Sequence, residues 1–268
     1  MTKMIEVADL GMHYQNARNE SVAIERVTFD VDQGEFVCIV GPSGCGKTTL
    51  LKCVAGLLKP TSGFTKLAGR TVLEPPEDTA VVFQDYSRSL FQWLSVRRNV
   101  ALPITRQSKF ERDRIVQESL QAVGLERFAS YHPWQLSGGM QQRVAIARAL
   151  ACRPKVLLMD EPFASVDALT RAELEDLVLR VRQEFSATVL LVTHDIDEAV
   201  YMSDRVVILS QSPAKVNHIQ EIPLARPRNQ VATKRNPEFG QLRTSVYTRI
   251  VPDGSMAVTQ QSKSPVGS

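Results

Sequence analysis

The chain has 268 residues, of which 43% are hydrophobic and 23% charged, and it carries a formal net charge of +3. This composition suits a globular protein with one main core and room for a subdomain, and the charge is too small to indicate nucleic acid as a partner. The four cysteines form no zinc-binding pattern, and apolar runs such as VLLM at 156–159 are too short to cross a bilayer, so any membrane role is expected to come through partner proteins.

The first informative stretch is EFVCIV at 35–40, a short apolar run followed by a Gly-Pro pair. It predicts a buried strand that runs into a tight loop. The later stretch TTLLKCVAGLL at 48–58 places apolar residues near helical spacing, and Pro60 is expected to stop that helix. Strand, loop and helix therefore follow one another here.

The loop between them, GPSGCGKT at 41–48, fits the pattern G-x-x-x-x-G-K-[ST] in the context that gives it meaning. Lys47 supplies a positive charge for phosphates, and the Thr48 hydroxyl is suited to Mg²⁺. Cys45 is interpreted either as a small filler or as a site of thiol modification. The glycines that let the backbone N–H groups turn inward are Gly41, Gly44 and Gly46. The loop predicts a nucleotide site.

The middle of the chain has helical character. The polar stretch RQSKFERDRIVQESLQAVGL at 106–125 has apolar residues on one face and predicts an amphipathic helix. In LSGGMQQRVAIARAL at 136–150, Ser137 is a good N-cap and Gln141 is placed to reach back toward it. Because the two glycines that follow Ser137 cost helix stability, they favour a second anion site over simple capping.

The stretch VLLMDE at 156–161 predicts a buried parallel strand with acidic residues at its carboxyl end. Asp160 is placed to hold the Mg²⁺ shell, and Glu161 to orient or deprotonate an attacking water. A solvated turn is the alternative. The presence of the glycine-rich loop at 41–48 in the same chain favours catalysis.

The end of the chain has weaker signals. Residues 226–250 are rich in Arg and Lys, which predicts a solvated surface, with contact to anionic lipid headgroups as the alternative. Within them, NPEFGQLRTSVYTRI at 236–250 predicts one helix that packs back on the core. The last residues, MAVTQQSKSPVGS at 256–268, are predicted to be disordered.

Taken in order, these motifs resemble those of an ATP-binding cassette (ABC) transporter ATPase, over about residues 4–225. The resemblance rests on GPSGCGKTT, Gln84 in VVFQ, LSGGMQQR, VLLMDEP, ASVD and His194 in LLVTHD. It implies an α/β fold with a RecA-like P-loop NTPase core, an N-terminal antiparallel β subdomain and an α-helical subdomain inserted at about 86–150. Residues 226–268 would then form a C-terminal helix and tail.

The resemblance further implies a head-to-tail dimer of cassettes, either a homodimer or a pair of different chains. ATP would be held between the glycine-rich loop at 41–49 of one chain, the P-loop, and the segment LSGGMQQR of the other, which is the signature of the family. Glu161, His194 and Lys47 are then expected to be catalytic, although a lone histidine is more often structural. Asp167 would bridge the dimer interface. Tyr14 resembles the aromatic residue that stacks on adenine, with an ordinary strand-edge tyrosine as the alternative.

The cofactors implied are ATP and Mg²⁺. The residues implied in nucleotide binding are Tyr14, Gly41, Pro42, Ser43, Gly44, Cys45, Gly46, Lys47, Thr48, Thr49, Gln84, Ser137, Gly138, Gly139 and Asp167. Those implied in Mg²⁺ binding are Thr48, Gln84 and Asp160.

Together with the signature, FQDYSRSLFQWLSVRRNVAL at 83–102 looks most like the importer branch for nitrate, sulfonate, taurine and related compounds. The partners implied are two transmembrane permease subunits and an extracytoplasmic solute-binding protein, and the location is the cytoplasmic face of the inner membrane. An aromatic loop at 91–94 could receive a helix of the permease, or it could be subdomain core. The alternatives are the ATPase of an ABC exporter and a non-transport ABC ATPase, while a P-loop GTPase is disfavoured by the lack of an NKxD motif.

Overall fold

The computed structural model describes residues 2–16 and 19–251 of the chain. The predicted disordered tail at 256–268 lies outside these ranges. Within the described residues the strands form one ten-stranded sheet, in the order β5-β4-β1-β2-β10-β9-β3-β8-β7-β6. The strands are β1 (Lys3–Asn16), β2 (Asn19–Asp32), β3 (Phe36–Val40), β4 (Ser62–Leu67), β5 (Arg70–Thr71), β6 (Thr79–Val82), β7 (Val156–Asp160), β8 (Thr188–Val192), β9 (Arg205–Leu209) and β10 (Ala214–Glu221).

The sheet has an antiparallel part and a parallel part. Strands β5, β4, β1 and β2 pair antiparallel, whereas β9, β3, β8, β7 and β6 are all parallel neighbours. Every residue of β3, β7 and β8 is buried, which explains their continuous apolar sequences. The carboxyl ends of these strands meet at one edge of the sheet, where the crossover loops can bring polar side chains together.

The helices lie between and beside the strands. They are α1 (Lys47–Val54), α2 (Tyr86–Ser89), α3 (Val96–Ala101), α4 (Lys109–Ala122), α5 (Gly138–Ala151), α6 (Ala168–Phe185), α7 (Ile196–Met202), α8 (Ala232–Arg235) and α9 (Pro237–Ile250). None of the helices in 2–16 or 19–251 is both long enough and apolar enough to span a membrane.

The helical stretch between β6 and β7 packs as its sequence pattern predicts. The four apolar residues of 106–125 that share one face, Ile115, Val116, Leu120 and Val123, are all buried. They join the same core cluster as side chains of β3 and β7. The inserted helices therefore share a core with the parallel part of the sheet.

The helix after the glycine loop is shorter than predicted. It ends at Val54 instead of continuing to Pro60. Gly56 has a φ of 70°, and a Cβ at this position would lie 2.6 Å from the backbone carbon of Glu74. A left-handed glycine just after the last helical turn ends the helix early, and the close approach to Glu74 leaves no room for a side chain here.

The basic stretch at 226–250 is largely exposed, as expected for a solvated surface, but two of its arginines also bond to the rest of the chain. Arg226 pairs with Asp204, the two side-chain atoms lying 2.6 Å apart. Arg228 donates to Val200 O at 3.3 Å and Ser203 O at 3.0 Å. These bonds fasten the segment to the end of α7, ahead of α9, whose Phe239 and Val246 are buried in the main core.

Candidate active site

The glycine loop joins buried β3 to α1 at the carboxyl edge of the sheet. Gly44 and Gly46 have φ values of 74° and 106°, which only glycine adopts without strain. A Cβ on Gly46 would also lie 2.9 Å from Ala23 O. Gly46 is the N-cap of α1 and offers no side-chain capping bond, so the first N–H groups of this helix are left for a ligand.

Lys47 is held inside the loop. Only 6% of the residue is exposed, and its Nζ donates to Gly41 O at 2.9 Å and to Pro42 O at 3.0 Å. An ammonium group that is fixed by backbone carbonyls inside a loop of inward N–H groups forms a concave site for an anion. The loop therefore has the charge and the shape that a polyphosphate requires.

Cys45, in the same loop, is 1% exposed, and a Cβ on Gly41 would lie 3.0 Å from its Sγ. Burial raises the pKa of the Cys45 thiol, and the charge of Lys47 only partly opposes this. A buried, protonated thiol is a poor nucleophile. Of the two interpretations of Cys45, the small filler agrees with this environment.

Thr48 and Asp160 meet beneath the loop. The Thr48 hydroxyl donates to Asp160 Oδ1 at 3.0 Å, although the two residues are 112 positions apart. Burial raises the pKa of Asp160, while the bond from Thr48 lowers it. Both groups are hard oxygen donors, the type that Mg²⁺ prefers.

Glu161, Gln84 and His194 converge on a single atom. Gln84 Nε2 donates to Glu161 Oε2 at 3.2 Å, and His194 Nδ1 lies 2.9 Å from the same oxygen. The three residues follow β6, β7 and β8, whose carboxyl ends are adjacent. Glu161 itself has a φ of 42°, an unusual value for a residue with a side chain, and its N–H donates to Val192 O at 2.8 Å. Such strain is typical of functional sites.

The signature segment at 136–143 does not join the residues around the glycine loop. Ser137 is the N-cap of α5, and its Oγ accepts from Met140 N at 3.3 Å. Gln141 reaches back as expected, but to Leu136 O at 3.2 Å. Ser137 and Gly138 are exposed, and within the described residues no hydrogen bond joins 137–139 to the glycine loop.

Gly139 makes a close contact within the chain. A Cβ at this position would lie 2.3 Å from Thr170 Cγ2, in the first turn of α6. The glycine therefore allows α5 and α6 to approach each other. This contact links the signature to the segment that begins with Asp167.

Asp167 has a local role that the sequence analysis missed. It is the N-cap of α6, and its Oδ1 accepts from Leu169 N and Thr170 N, both at 3.1 Å. The bond from Thr170 N is the main cause of a lowered pKa for this carboxyl group. An aspartate just before an apolar helix is a common capping signal, which could have identified this role.

Tyr14 lies on β1 beside the end of the glycine loop. Its hydroxyl is 3.3 Å from Thr49 Oγ1, and 39% of the residue is exposed. The ring is thus near the loop and accessible.

Behind His194 lies a polar cluster that the sequence analysis did not identify. Arg171 Nη1 donates to Asp195 Oδ2 at 2.9 Å, and Asp195 Oδ1 accepts from Glu198 N at 3.1 Å. The pattern Asp-Ile-Asp-Glu at 195–198 has the spacing of a helix-capping box and was a usable signal for the Asp195 cap. The pairing with Arg171 depends on the fold and has no local signal.

Comparison with known proteins agrees with this geometry. The family model for ABC transporters matches residues 24–164. The nitrate import ATP-binding protein NrtD of Synechococcus elongatus is 46% identical over 91% of this chain and 92% of its own length. The nitrate transport protein NasD of Klebsiella oxytoca is 41% identical over 92% of this chain and 95% of its own.

Some relatives are much longer. The bicarbonate transport ATP-binding protein CmpC of Synechococcus elongatus is 46% identical over 85% of this chain, but the match spans only 35% of CmpC. The chain therefore corresponds to about a third of that relative.

Solved structures give the same fold. The ATP-binding cassette MJ0796, a dimer in a post-hydrolysis state with ADP and Pi, has a TM-score of 0.73 and 33% identity over 82% of this chain and 99% of its own. The cbiO1 protein of Clostridium perfringens, part of the transporter complex cbiONQ, has a TM-score of 0.74 and 27% identity over 83% of this chain and 90% of its own. The predicted fold class, an α/β P-loop cassette, is confirmed. The chain belongs to the ABC transporter family and is an ATPase of that family.

Proposed function

We propose that the chain is the ATP-hydrolysing subunit of an ABC importer for a small anion, with nitrate and bicarbonate as the first candidates. The observation that carries this proposal is the similarity to a nitrate import ATP-binding protein over 91% of this chain. A relative named for bicarbonate transport, CmpD of Synechocystis, is 40% identical over 94% of this chain, which supports the wider substrate class. Sulfonates and taurine are further candidates from the sequence.

The roles of the site residues follow from their positions. The loop N–H groups and Lys47 bind the phosphates, because they form a positively polarised hollow at the start of α1. Glu161 orients and deprotonates the attacking water, since a carboxylate at the end of β7 reaches the phosphate edge of the sheet. Gln84 and His194, which both contact Glu161 Oε2, position this carboxylate and the γ-phosphate.

Thr48 and Asp160 fit a Mg²⁺ ion bound together with the nucleotide. The described residues contain no cluster of three or more His, Cys, Asp or Glu side chains that could hold a metal alone. Mg²⁺ usually takes one or two protein oxygens and fills its shell with phosphate and water. When bound, it would neutralise charge on the phosphates, and Gln84 would be a third side chain available to hold it.

The catalytic unit is a dimer. Ser137 and Gly138 are exposed, and among the residues that the structure describes no hydrogen bond joins the start of α5 to the glycine loop of its own chain. The signature therefore serves a nucleotide held by the loop of a partner cassette, and Asp167 lies near that interface, beside Leu169, which is 81% exposed. ATP closes the dimer because it is bound on both faces, and hydrolysis removes part of this bonding.

The partners are two membrane-embedded permease subunits, which hold the chain at the cytoplasmic face of the membrane. Trp93 is 72% exposed and contacts Phe91 edge to face, with ring centroids 5.0 Å apart. This aromatic loop, in the helical segment proposed to span 86–150, is the docking surface for a permease helix. The ATPase domain is proposed to cover 4–225, with 226–268 as a C-terminal extension, and a solute-binding protein acts indirectly.

Uptake in a deletion strain tests this function. A strain that lacks the gene is complemented with the unchanged chain, with Lys47→Ala, or with Lys59→Ala at an exposed lysine beyond α1. Uptake of labelled nitrate, bicarbonate and taurine is then measured. We expect one solute to depend on the unchanged chain and on Lys59→Ala but to be lost with Lys47→Ala. Efflux that depends on Lys47, without such uptake, would identify an exporter.

A further inference from the structure

A small cavity lies directly behind Glu161 and His194, between the start of α6 and the start of α7. Its volume is about 10 Å³, and its polar lining comes from Arg171, Thr193, Asp195 and Glu198 besides the two catalytic candidates. A water molecule needs on the order of 10–15 Å³ and two to four polar partners. The cavity therefore has the size and the polarity that a single water requires.

Two atoms of opposite character in this lining are buried without a hydrogen-bond partner among the described residues. They are the donor Nε of Arg171 and the acceptor Oε1 of Glu198. Glu198 is only 4% exposed, so bulk solvent does not satisfy it. Buried polar groups in native proteins are almost always bonded, either to protein or to an ordered water.

The neighbouring groups already have partners, which limits the ways to satisfy these two atoms. The Arg171 Nη1 and Nη2 groups donate to Asp195 Oδ2 and Val166 O, at 2.9 and 3.5 Å. Thr193 Oγ1 accepts from Asp195 N at 2.9 Å, and its side-chain hydrogen bond to the Glu198 carboxyl group lowers the pKa of Glu198 but leaves Oε1 without a partner. A donor and an acceptor that both line a cavity of one water's size are most simply bridged by that water.

We propose that one water molecule occupies this cavity, accepting a hydrogen bond from Arg171 Nε and donating one to Glu198 Oε1, and that Glu198 thereby acts as a positioning residue for His194. Asp195 directly follows His194 and is held by both Arg171 and Glu198 N. The water joins these two elements, so the loop at 193–195 is fixed from α6 and α7 together.

The protonation state of Glu198 is compatible with this bridge. Burial, followed by the nearby Glu175 and Asp195 carboxylates, raises the pKa of Glu198 well above its ordinary value, while Thr193 and Arg171 oppose the shift. A neutral carboxyl group keeps an acceptor oxygen for the water. The bridge therefore does not need an ionised Glu198.

The test compares Glu198→Gln, which keeps an acceptor oxygen, with Glu198→Met, which has similar length and no acceptor. Glu175→Met is the matched control, because Glu175 is also a buried carboxylate of the same interface but does not line the cavity. Arg171→Lys keeps the charge and removes the Nε donor, together with the Nη donors to Asp195 and Val166. The presence or absence of the water in its crystal structure therefore tests the bridge from the side of Arg171 even if Glu198→Met does not fold. High-resolution crystal structures, imidazole ¹⁵N NMR signals of His194, and kcat and KM for ATP are measured.

We expect an ordered water in the unchanged protein and in Glu198→Gln, and none in Glu198→Met. The His194 signals should move in Glu198→Met and Arg171→Lys only, and kcat should fall roughly threefold to tenfold with KM unchanged, as expected for a misplaced catalytic group. An unchanged protein without this water, or a Glu198→Met protein with unmoved His194 signals, would overturn the inference.

The effect on kcat rests on the proposed role of His194, whereas the water and the NMR signals do not. A protein that shows the water and the signal shift but whose rate does not depend on His194 would therefore refute the proposed role alone. Signals that also move in Glu175→Met would show a general loosening of the interface and would contradict a specific bridge.

Discussion

The chain contains two glycine-rich helix starts, at α1 and at α5, and their surroundings differ. At α1 the loop is closed around a buried lysine, and the N-cap glycine leaves the N–H groups uncapped. At α5 the side chain of the N-cap Ser137 accepts from Met140 N, so it satisfies one N–H group of the helix, and Ser137 is exposed. The first start has the charge and the uncapped N–H groups of an anion site within the chain, while the second is, in our proposal, half of a site that a second molecule completes.

The largest expected effect comes from removing the lysine of the glycine loop at α1. Lys47→Ala removes the ammonium that the loop carbonyls hold, so ATP hydrolysis should fall to about 1% or less, because charge on the phosphates loses its main protein counterion. Phosphate release assays check this. Lys59→Ala, at an exposed lysine, should keep its activity. Substantial turnover by Lys47→Ala would show that the loop at α1 is not the phosphate site.

An effect of at least similar size is expected from the loss of the base beside that site. Glu161→Gln should slow hydrolysis by about 10²–10⁴-fold, the range for general base catalysis, without preventing ATP binding. The protein should therefore accumulate as an ATP-bound dimer, which size-exclusion chromatography with light scattering detects. A monomer at saturating ATP would argue against closure of two cassettes around the nucleotide.

Mixing two variants tests whether the two helix starts act in different chains of one dimer. A chain with Ser137→Arg keeps its glycine loop, and a chain with Lys47→Ala keeps its signature, so a mixed dimer contains one intact composite site. Each variant alone should be inactive, whereas the mixture should recover part of the ATPase activity of the unchanged protein. If the mixture stays inactive while mixed dimers form, the start of α5 does not complete the site of a partner.

A smaller effect is expected where the signature contacts its own chain. Gly139→Ala places a methyl carbon 2.3 Å from Thr170 Cγ2, and overpacking of this kind costs roughly 1–3 kcal/mol of stability. The better helix propensity of alanine offsets up to about 1 kcal/mol of that loss. Chemical denaturation measures the loss. Adding Thr170→Ser removes the conflicting methyl group and should restore stability, and an unrestored double variant would contradict this contact.

The smallest effect is on pH dependence. Glu198 holds its proton to higher pH in the folded state than in the unfolded chain, because burial raises its pKa above the ordinary value of 4.5. Between these two pKa values the folded state binds more protons, so its stability falls as pH rises. From about pH 7 to about pH 5 the unchanged protein should gain stability relative to Glu198→Gln, by at most about 1.4 kcal/mol per pH unit. Urea denaturation at both pH values measures this gain, and Glu184→Gln, at an exposed carboxylate, should not alter it.

Several features could be predicted because their signals are local. The strand–loop–helix at 35–58, the buried face of α4 and the acidic end of β7 each depend on spacing within a short segment. The meeting of Gln84, Glu161 and His194 could be anticipated once the three segments were assigned to adjacent parallel strands. These features follow from periodicity and from one topological rule.

Other features could not be predicted because they depend on distant contacts. Gly56 is itself a local stop signal for the helix after the glycine loop, but its close approach to Glu74 has no such signal. The contacts of Arg226 and Arg228 with the end of α7 have no signal in the sequence around these arginines. The cavity at Glu198 exists only when α6 and α7 are packed. In each case the partner lies many residues away, and only the fold brings it near.

The shared oxygen of Glu161 affects how substitutions at this residue should be interpreted. Gln84 and His194 both bond to Oε2, so this single atom ties together the loops after three strands. A glutamine at 161 that presents its amide oxygen there can still accept from both neighbours, whereas one that presents its amide nitrogen can accept from neither. In the second case the kinetic defect combines the missing base with two released loops, and double-mutant cycles with Gln84 and His194 would separate these contributions.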